Sequence, residues 1–189
     1  KIGRTVEVGP STGTVTAIDE LGYRLVSWDH PVDESAHGEL ALPPYMQRGE
    51  EECDAERYQT VYADRPASAA APTAGLHFTD DLLDACREAG AGIERLELVV
   101  GLDTFRPIVV DDLDDHRMHS EAYEVPTATL DACRAADRVL AVGTTTVRAL
   151  ESAARGGAAG RTDLFIRRPF DFEVVDLLLT NFHLPGSTL

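Results

Sequence analysis

The run Val139-Leu140-Ala141-Val142-Gly143-Thr144-Thr145-Thr146-Val147-Arg148-Ala149-Leu150-Glu151 leaves a chain few ways to fold. Its short apolar opening reads as a buried strand. Gly143 permits a tight turn, and helical spacing follows. A strand that turns directly into a helix is the unit from which α/β folds are built. The same turn has chemical potential. The first N–H groups of a helix lack partners within it, so with three threonine hydroxyls they make an anion-binding end. A carboxylate or a phosphate suits it, and Arg148 adds a guanidinium fork. Ordinary threonine capping is the plain alternative.

The preceding sequence has the same texture. Thr79 caps a helix opened by Asp80 and Asp81, which runs through Arg87 and ends near Gly90-Ala91-Gly92. A strand over residues 93–100 then ends at Gly101. Residues 130–134 form a second helix, residues 138–142 a strand ending at Gly143, and residues 162–166 and 174–182 further buried strands. This order predicts an α/β domain over residues 41–189, mixed-sheet or partly barrel-like, with its glycine-ended strands in one sheet. Residues 1–40 differ. Residues 4–8, 13–18 and 23–28 alternate or carry β-branched side chains, punctuated by Gly9-Pro10 and Glu20-Leu21-Gly22. Three strands make a thin sheet, so this segment reads as part of a small β-domain.

Composition narrows the function. The 189 residues are 43% hydrophobic, enough for a core, and no apolar run is long enough to span a bilayer. The odd count of Cys53, Cys86 and Cys133, without close pairs, argues against a disulfide framework and a cysteine-rich zinc site and fits a reducing, cytoplasmic setting. The first residues lack both an initiator Met and a signal-peptide pattern, and read as the start of a fragment or trimmed chain. Net charge is −16, which does not advertise nucleic-acid binding. Local arginines can still work within an acidic whole, and Arg65, Arg106, Arg117, Arg148, Arg161, Arg167 and Arg168 are the candidates.

Three further motifs carry candidate chemistry. In residues 71–79 Pro72 and Gly75 force a turn that sets Thr73, Ala74, Gly75, His77 and Phe78 just before a helix N-terminus, suited to a small anionic or nucleoside-like ligand. A buried turn whose histidine is satisfied by backbone reads equally well. His116-Arg117-Met118-His119-Ser120-Glu121 concentrates ionisable groups. Two histidines and a carboxylate suit a zinc hydrolase, but no continuous helical face supports the spacing, so acid–base work or substrate grip is preferred. On a strand, His119, Glu121 and Tyr123 share one face. Asn181, Phe182 and His183 follow an apolar strand and precede Pro185-Gly186, the pattern of a site rim. Neither a Gly-rich phosphate loop nor a Gly-x-Ser-x-Gly elbow occurs.

Taken in order, Leu-Pro-Pro-Tyr (42–45), Glu-Arg-Tyr-Gln-Thr-Val-Tyr-Ala (56–63), Ala-Ala-Pro-Thr-Ala-Gly-Leu-His-Phe-Thr (70–79), Met-His-Ser-Glu (118–121), Val-Gly-Thr-Thr-Thr-Val-Arg-Ala-Leu-Glu (142–151) and Thr-Asn-Phe-His-Leu-Pro-Gly-Ser-Thr-Leu (180–189) resemble the S-adenosylmethionine:tRNA ribosyltransferase-isomerases of queuosine biosynthesis. The likeness covers about residues 40–189, and residues 1–40 look like the end of that family's small β-barrel domain. The family's N-terminal portion and the segment after Ser-Thr-Leu are absent from this sequence. The resemblance implies transfer and rearrangement of the ribosyl part of S-adenosylmethionine onto 7-aminomethyl-7-deazaguanine in the tRNA anticodon. Epoxyqueuosine forms, and adenine and methionine leave. The proposed chemistry begins by removing the C5′ proton beside the sulfonium.

On this reading the base is among His77, His119, Glu121 and His183. Phe78 and Phe182 stack on bases, and Thr144, Thr145, Thr146 and Arg148 hold the methionine carboxylate. Thr73, Ala74, Gly75, Thr104, Phe105, Gly143 and Asn181 complete the substrate site. The protein is expected to be a cytoplasmic monomer, with no metal and no membrane. The family usually carries His-Val-Gly-x-Gly-Thr-Phe where this chain has Val99-Val100-Gly101-Leu102-Asp103-Thr104-Phe105. The lost histidine and added carboxylate keep open a divergent paralogue with another nucleoside acceptor, or a non-catalytic relative that binds S-adenosylmethionine or RNA.

Overall fold

The computed structural model describes residues 1–19, 22–43, 46–105, 108–183 and 185–186, and for Leu102 and Phe105 the backbone alone. The expectations for Glu20-Leu21, Pro44-Tyr45, Arg106, Leu184, residues 187–189 and the Phe105 side chain lie outside the described residues. The chain divides into two compact units, residues 1–40 and 41–189.

The first unit is an antiparallel sheet of β1 (Thr5–Val8), β2 (Ser11–Ile18) and β3 (Arg24–Trp28) in sequence order. Ser11, Gly13 and Val15 are buried on one face of β2, and register shifts between Val15 and Ala17. The short helix α1 (Glu34–His37) follows, capped by Asp33, whose carboxylate accepts from the Ser35 and Ala36 amides.

The second unit begins with the one-turn helix α2 (Asp54–Arg57). A 3-10 turn over Thr73–His77 leads into α3 (Asp80–Glu88), whose first turn is closed as expected: the Leu82 amide donates to Thr79 Oγ1. Gly75 is required in that turn because a Cβ there would lie 1.9 Å from the Tyr62 hydroxyl. The remaining elements are β4 (Glu97–Val99), β5 (Glu121–Glu124), α4 (Thr127–Ala135), β6 (Leu140–Val142), α5 (Thr144–Gly156), β7 (Ala159–Thr162) and β8 (Leu177–Leu179). Helix α5 packs on β4, β5, β6 and β7. Its Ala149, Leu150 and Ala153 bury with Leu98, Tyr123, Val125 and Leu130, which supplies the hydrophobic core.

The architecture is mixed α/β, but the glycine-ended strands do not share a sheet. β4 joins an antiparallel sheet in the order β4-β5-β7, whereas β6 pairs in parallel with β8 alone. No closed barrel forms among the described residues. The strands are shorter than periodicity predicts, and competing hydrogen bonds explain why. Residues 173–175 give their amides to the Glu151 carboxylate, so β8 starts only at Leu177. At the end of β7 and just past it, the Thr162 and Leu164 carbonyls accept from the Arg148 guanidinium. β7 instead runs Ala159–Thr162, ending where the strand expected at residues 162–166 would begin.

Candidate functional site

Strand β5 sets the chemistry. Alternation buries Glu121 and Tyr123 on one side, and His119, just before the strand, is largely buried with them. Glu121 is 5% exposed and fully engaged. Its Oε1 accepts from the Gly101 amide at 2.9 Å and lies 3.2 Å from His119 Nε2, while its Oε2 accepts from Arg148 Nη1. Burial opposes the charge on Glu121. The His119 ring, the Gly101 amide and Arg148 outweigh it and hold the carboxyl below its ordinary range.

Arg148 comes from the first half of α5 and is also buried. Burial works against its charge, while Glu121 favours it. Nε donates to the Leu164 carbonyl at 3.0 Å, and Nη2 donates to the His119 and Thr162 carbonyls at 2.8 and 3.0 Å. All three guanidinium nitrogens are thus committed to protein acceptors. The expected fork for a ligand carboxylate is occupied by the structure's own groups, because a buried guanidinium must satisfy its donors where it lies.

These residues line a cleft with about 270 Å³ of empty space, shared by Val100, Thr104, Met118, His119, Glu121, Thr145 and Arg148. Much of that space is open to solvent, and the enclosed room is about 20 Å³, little more than one water needs. Thr145 enters it from the start of α5. Gly143 makes that start possible, with φ at 90°, a value that disfavours any side chain. Thr146 turns inward instead, its hydroxyl donating to the Val142 carbonyl at 2.6 Å, while Thr144 is half-buried.

A second group gathers beside the carboxyl end of the parallel pair. The Gly143 amide donates to the Leu179 carbonyl at 2.8 Å, which places the α5 start next to the end of β8. Two residues later, Asn181 Oδ1 lies 3.0 Å from His77 Nε2, across 104 residues of sequence. The 73–77 turn, the α5 start and Asn181 therefore meet at one rim. His77, Phe182 and His183 are exposed there, and Phe78 and Thr73 are half-buried. Ala74 and Gly75 are buried in the turn. None of these lines the cleft.

The zinc arrangement does not form: His116 packs its ring against Phe165, 5.2 Å between centroids, and no group of three metal-ligating side chains assembles among the described residues. No described helix is long and apolar enough to cross a membrane. Sequence reasoning missed Val100 and Met118 in the cleft. It also missed Glu151, a fully buried carboxylate that accepts from the Glu173, Val174 and Val175 amides and from Arg155. An acid inside the apolar stripe Val147, Leu150, Ala153 was the available signal.

The family model described as "Queuosine biosynthesis protein" matches residues 1–189. The chain belongs to this family.

Queuosine biosynthesis proteins similar to it include the S-adenosylmethionine:tRNA ribosyltransferase-isomerase of Azoarcus sp., 53% identical over 161 residues, covering 81% of this chain and 47% of the relative. Another is the protein of that name from Sulfurihydrogenibium sp., 46% identical over 171 residues, covering 88% of this chain and 51% of the relative. The chain thus spans about half the length of the curated relatives it matches. Among solved structures, the S-adenosylmethionine tRNA ribosyltransferase of Thermotoga maritima is 30% identical, with a TM-score of 0.48, covering all of this chain and 53% of that one.

Proposed function

We propose that this chain carries part of the active site of an S-adenosylmethionine:tRNA ribosyltransferase-isomerase. It would transfer and rearrange the ribosyl group onto 7-aminomethyl-7-deazaguanine in tRNA, giving epoxyqueuosine and releasing adenine and methionine. The supporting observation is the match of the queuosine family along all 189 residues, on a chain whose family-like motifs gather at one cleft and one adjoining rim. In this reading the reacting ribosyl carbon enters the cleft beside His119. Thr145, at the N-terminal end of α5, takes the methionine carboxylate in place of the committed Arg148. Phe182 and Phe78 offer apolar faces for bases at the rim. The base is drawn from His77, His119, Glu121 and His183. S-adenosylmethionine is a substrate here, and no metal enters the scheme. The protein would act as a cytoplasmic monomer, where its tRNA substrate is found, with residues 1–40 part of a small β-barrel domain.

One feature supports a second reading. Val99 and Asp103 depart from the family pattern, and their immediate neighbours Val100 and Thr104 line the cleft, which favours a different acceptor nucleoside with the donor chemistry kept. One experiment tests both. Full-length protein is incubated with S-adenosylmethionine and tRNA bearing 7-aminomethyl-7-deazaguanine, adenine is quantified, and the digested tRNA is examined by mass spectrometry. Adenine release with conversion to epoxyqueuosine is expected. Adenine release only with a different acceptor supports the second reading. No release with any acceptor refutes both.

A further inference from the structure

The contacts around His119 divide the labour between His119 and Glu121, which the sequence left as equal candidates for the base, and give Arg148 a role other than the anion fork expected of it. We propose that His119 is the proton-removing base, acting through Nδ1, and that Glu121 and Arg148 are positioning residues that fix its ring and its tautomer. The inference rests on the donor chemistry proposed above, and it narrows four candidate bases to one.

Glu121 is poorly placed to be the base. Its two oxygens already face Arg148 Nη1, the Gly101 amide and His119 Nε2. Taking a substrate proton would require breaking part of this set inside a buried pocket, and every one of these neighbours favours the ionised carboxylate. His119 is in the opposite condition. Its backbone is pinned, because its carbonyl accepts from Arg148 Nη2 at 2.8 Å. Its ring is held at Nε2, 3.2 Å from Glu121 Oε1. Arg148 Nη1 also lies near Nε2, but at 3.4 Å, and its shorter contact is to Glu121 Oε2. A carboxylate against Nε2 selects the tautomer that carries its proton there. Nδ1 is then left with its lone pair. No described protein group bonds Nδ1, it is not among the buried unsatisfied atoms, and His119 lines the cleft.

The other candidates lack this arrangement. His77 has its Nε2 against Asn181 and stands exposed on the rim, and His183 is exposed with no side-chain partner among the described residues. Neither lines the cleft. In the proposed step the C5′–H bond of the sulfonium substrate breaks and its electron pair stays on carbon. The proton forms a new N–H bond at Nδ1, leaving an imidazolium whose Nε2–H faces the Glu121 carboxylate. The developing positive charge is thus met by a fixed negative one. Arg148 takes no part in the proton transfer. It keeps the carboxylate turned toward His119 and ties β5 to the end of β7 and to α5.

The test joins a spectroscopic readout to a kinetic one. Full-length protein labelled with ¹⁵N-histidine is examined by long-range proton–nitrogen correlation, with His119 assigned by its loss in His119→Gln. The neutral ring is expected to carry its proton on Nε2, and Glu121→Gln is expected to remove that preference. In single-turnover adenine release, His119→Gln should fall by roughly 10²–10⁴-fold with S-adenosylmethionine affinity kept. Glu121→Gln should fall less, and added imidazole should recover part of the rate in His119→Gly. A resting ring protonated on Nδ1 overturns the proposal even in an active enzyme, as does a His119→Gln rate near that of the parent. Full-length protein with the expected tautomer but no adenine release refutes the assigned reaction and the base with it, while the positioning geometry stands.

Discussion

Glu151 offers the sharpest test of how this fold is held. Its side chain is fully buried, and it accepts from the amides of Glu173, Val174 and Val175 at 2.9–3.0 Å and from Arg155 at 2.6 Å. Burial raises the cost of its charge, but the three amides and Arg155 more than repay it, and the carboxyl lies below its ordinary value. A hydrogen bond to a charged acceptor contributes about 1.5–3 kcal/mol. Three amides would sum to more than the whole, because the loop can relax and water can reach exposed Glu173. Arg155 is part-exposed and adds at most about 1 kcal/mol. Glu151→Ala should therefore cost about 3–5 kcal/mol, in the range for stranding the partners of a buried charge. Glu151→Gln keeps one accepting oxygen but turns an NH₂ toward donors, so it should cost roughly half as much. Urea unfolding followed by near-ultraviolet dichroism measures both, with unchanged slope showing that stability rather than the unfolded state has moved. A Glu151→Ala protein within about 1 kcal/mol of the parent would refute this account of why the chain leaves strand geometry at residues 173–175.

Gly75→Ala should destabilise by about 1–3 kcal/mol, because its new Cβ meets the Tyr62 hydroxyl at 1.9 Å, and Tyr62→Phe in the same chain should recover part of the loss in thermal unfolding. Gly143→Ala meets no atom within 4 Å, so its cost, about 1–3 kcal/mol, is backbone strain alone and should persist in every second-site background in the cleft. Arg48, donating through two nitrogens, and the Glu51 amide hold the Asp54 carboxyl down at about 2. Because that value is depressed in the folded state, its contribution is present above the ordinary 3.8 and lost as pH falls toward 2. Acid unfolding of Asp54→Asn should accordingly show a smaller loss of stability over that window than the parent.

Local signals in the sequence survive into the structure where they are self-sufficient. The Thr79 cap, the Gly143 turn and the alternation of Glu121 with Tyr123 each follow from a few neighbouring residues. What periodicity misjudges is set by distant side chains. The apolar stretch at 174–182 has every local reason to be a long strand, yet an acid more than twenty residues earlier claims its first amides. Arg148 similarly carries the sequence marks of an anion fork, and only the folded positions of the 119, 162 and 164 carbonyls show that its donors are already taken. The site was legible as a set of motifs. The division of roles within it depended on hydrogen-bond partners up to 104 residues apart.

The His77–Asn181 contact also orders events in time. Its two ends are separated by 104 residues, so a chain emerging from the ribosome carries His77 long before the residue that will face it exists. The sheet of residues 1–40 closes through near neighbours and can form as soon as it is made. The rim must wait for α5 to dock and β8 to arrive beside β6. Biosynthesis thus produces the scaffold first and the place where its motifs meet last, so a chain halted before β8 would hold the cleft residues 100–148 without the rim that adjoins them.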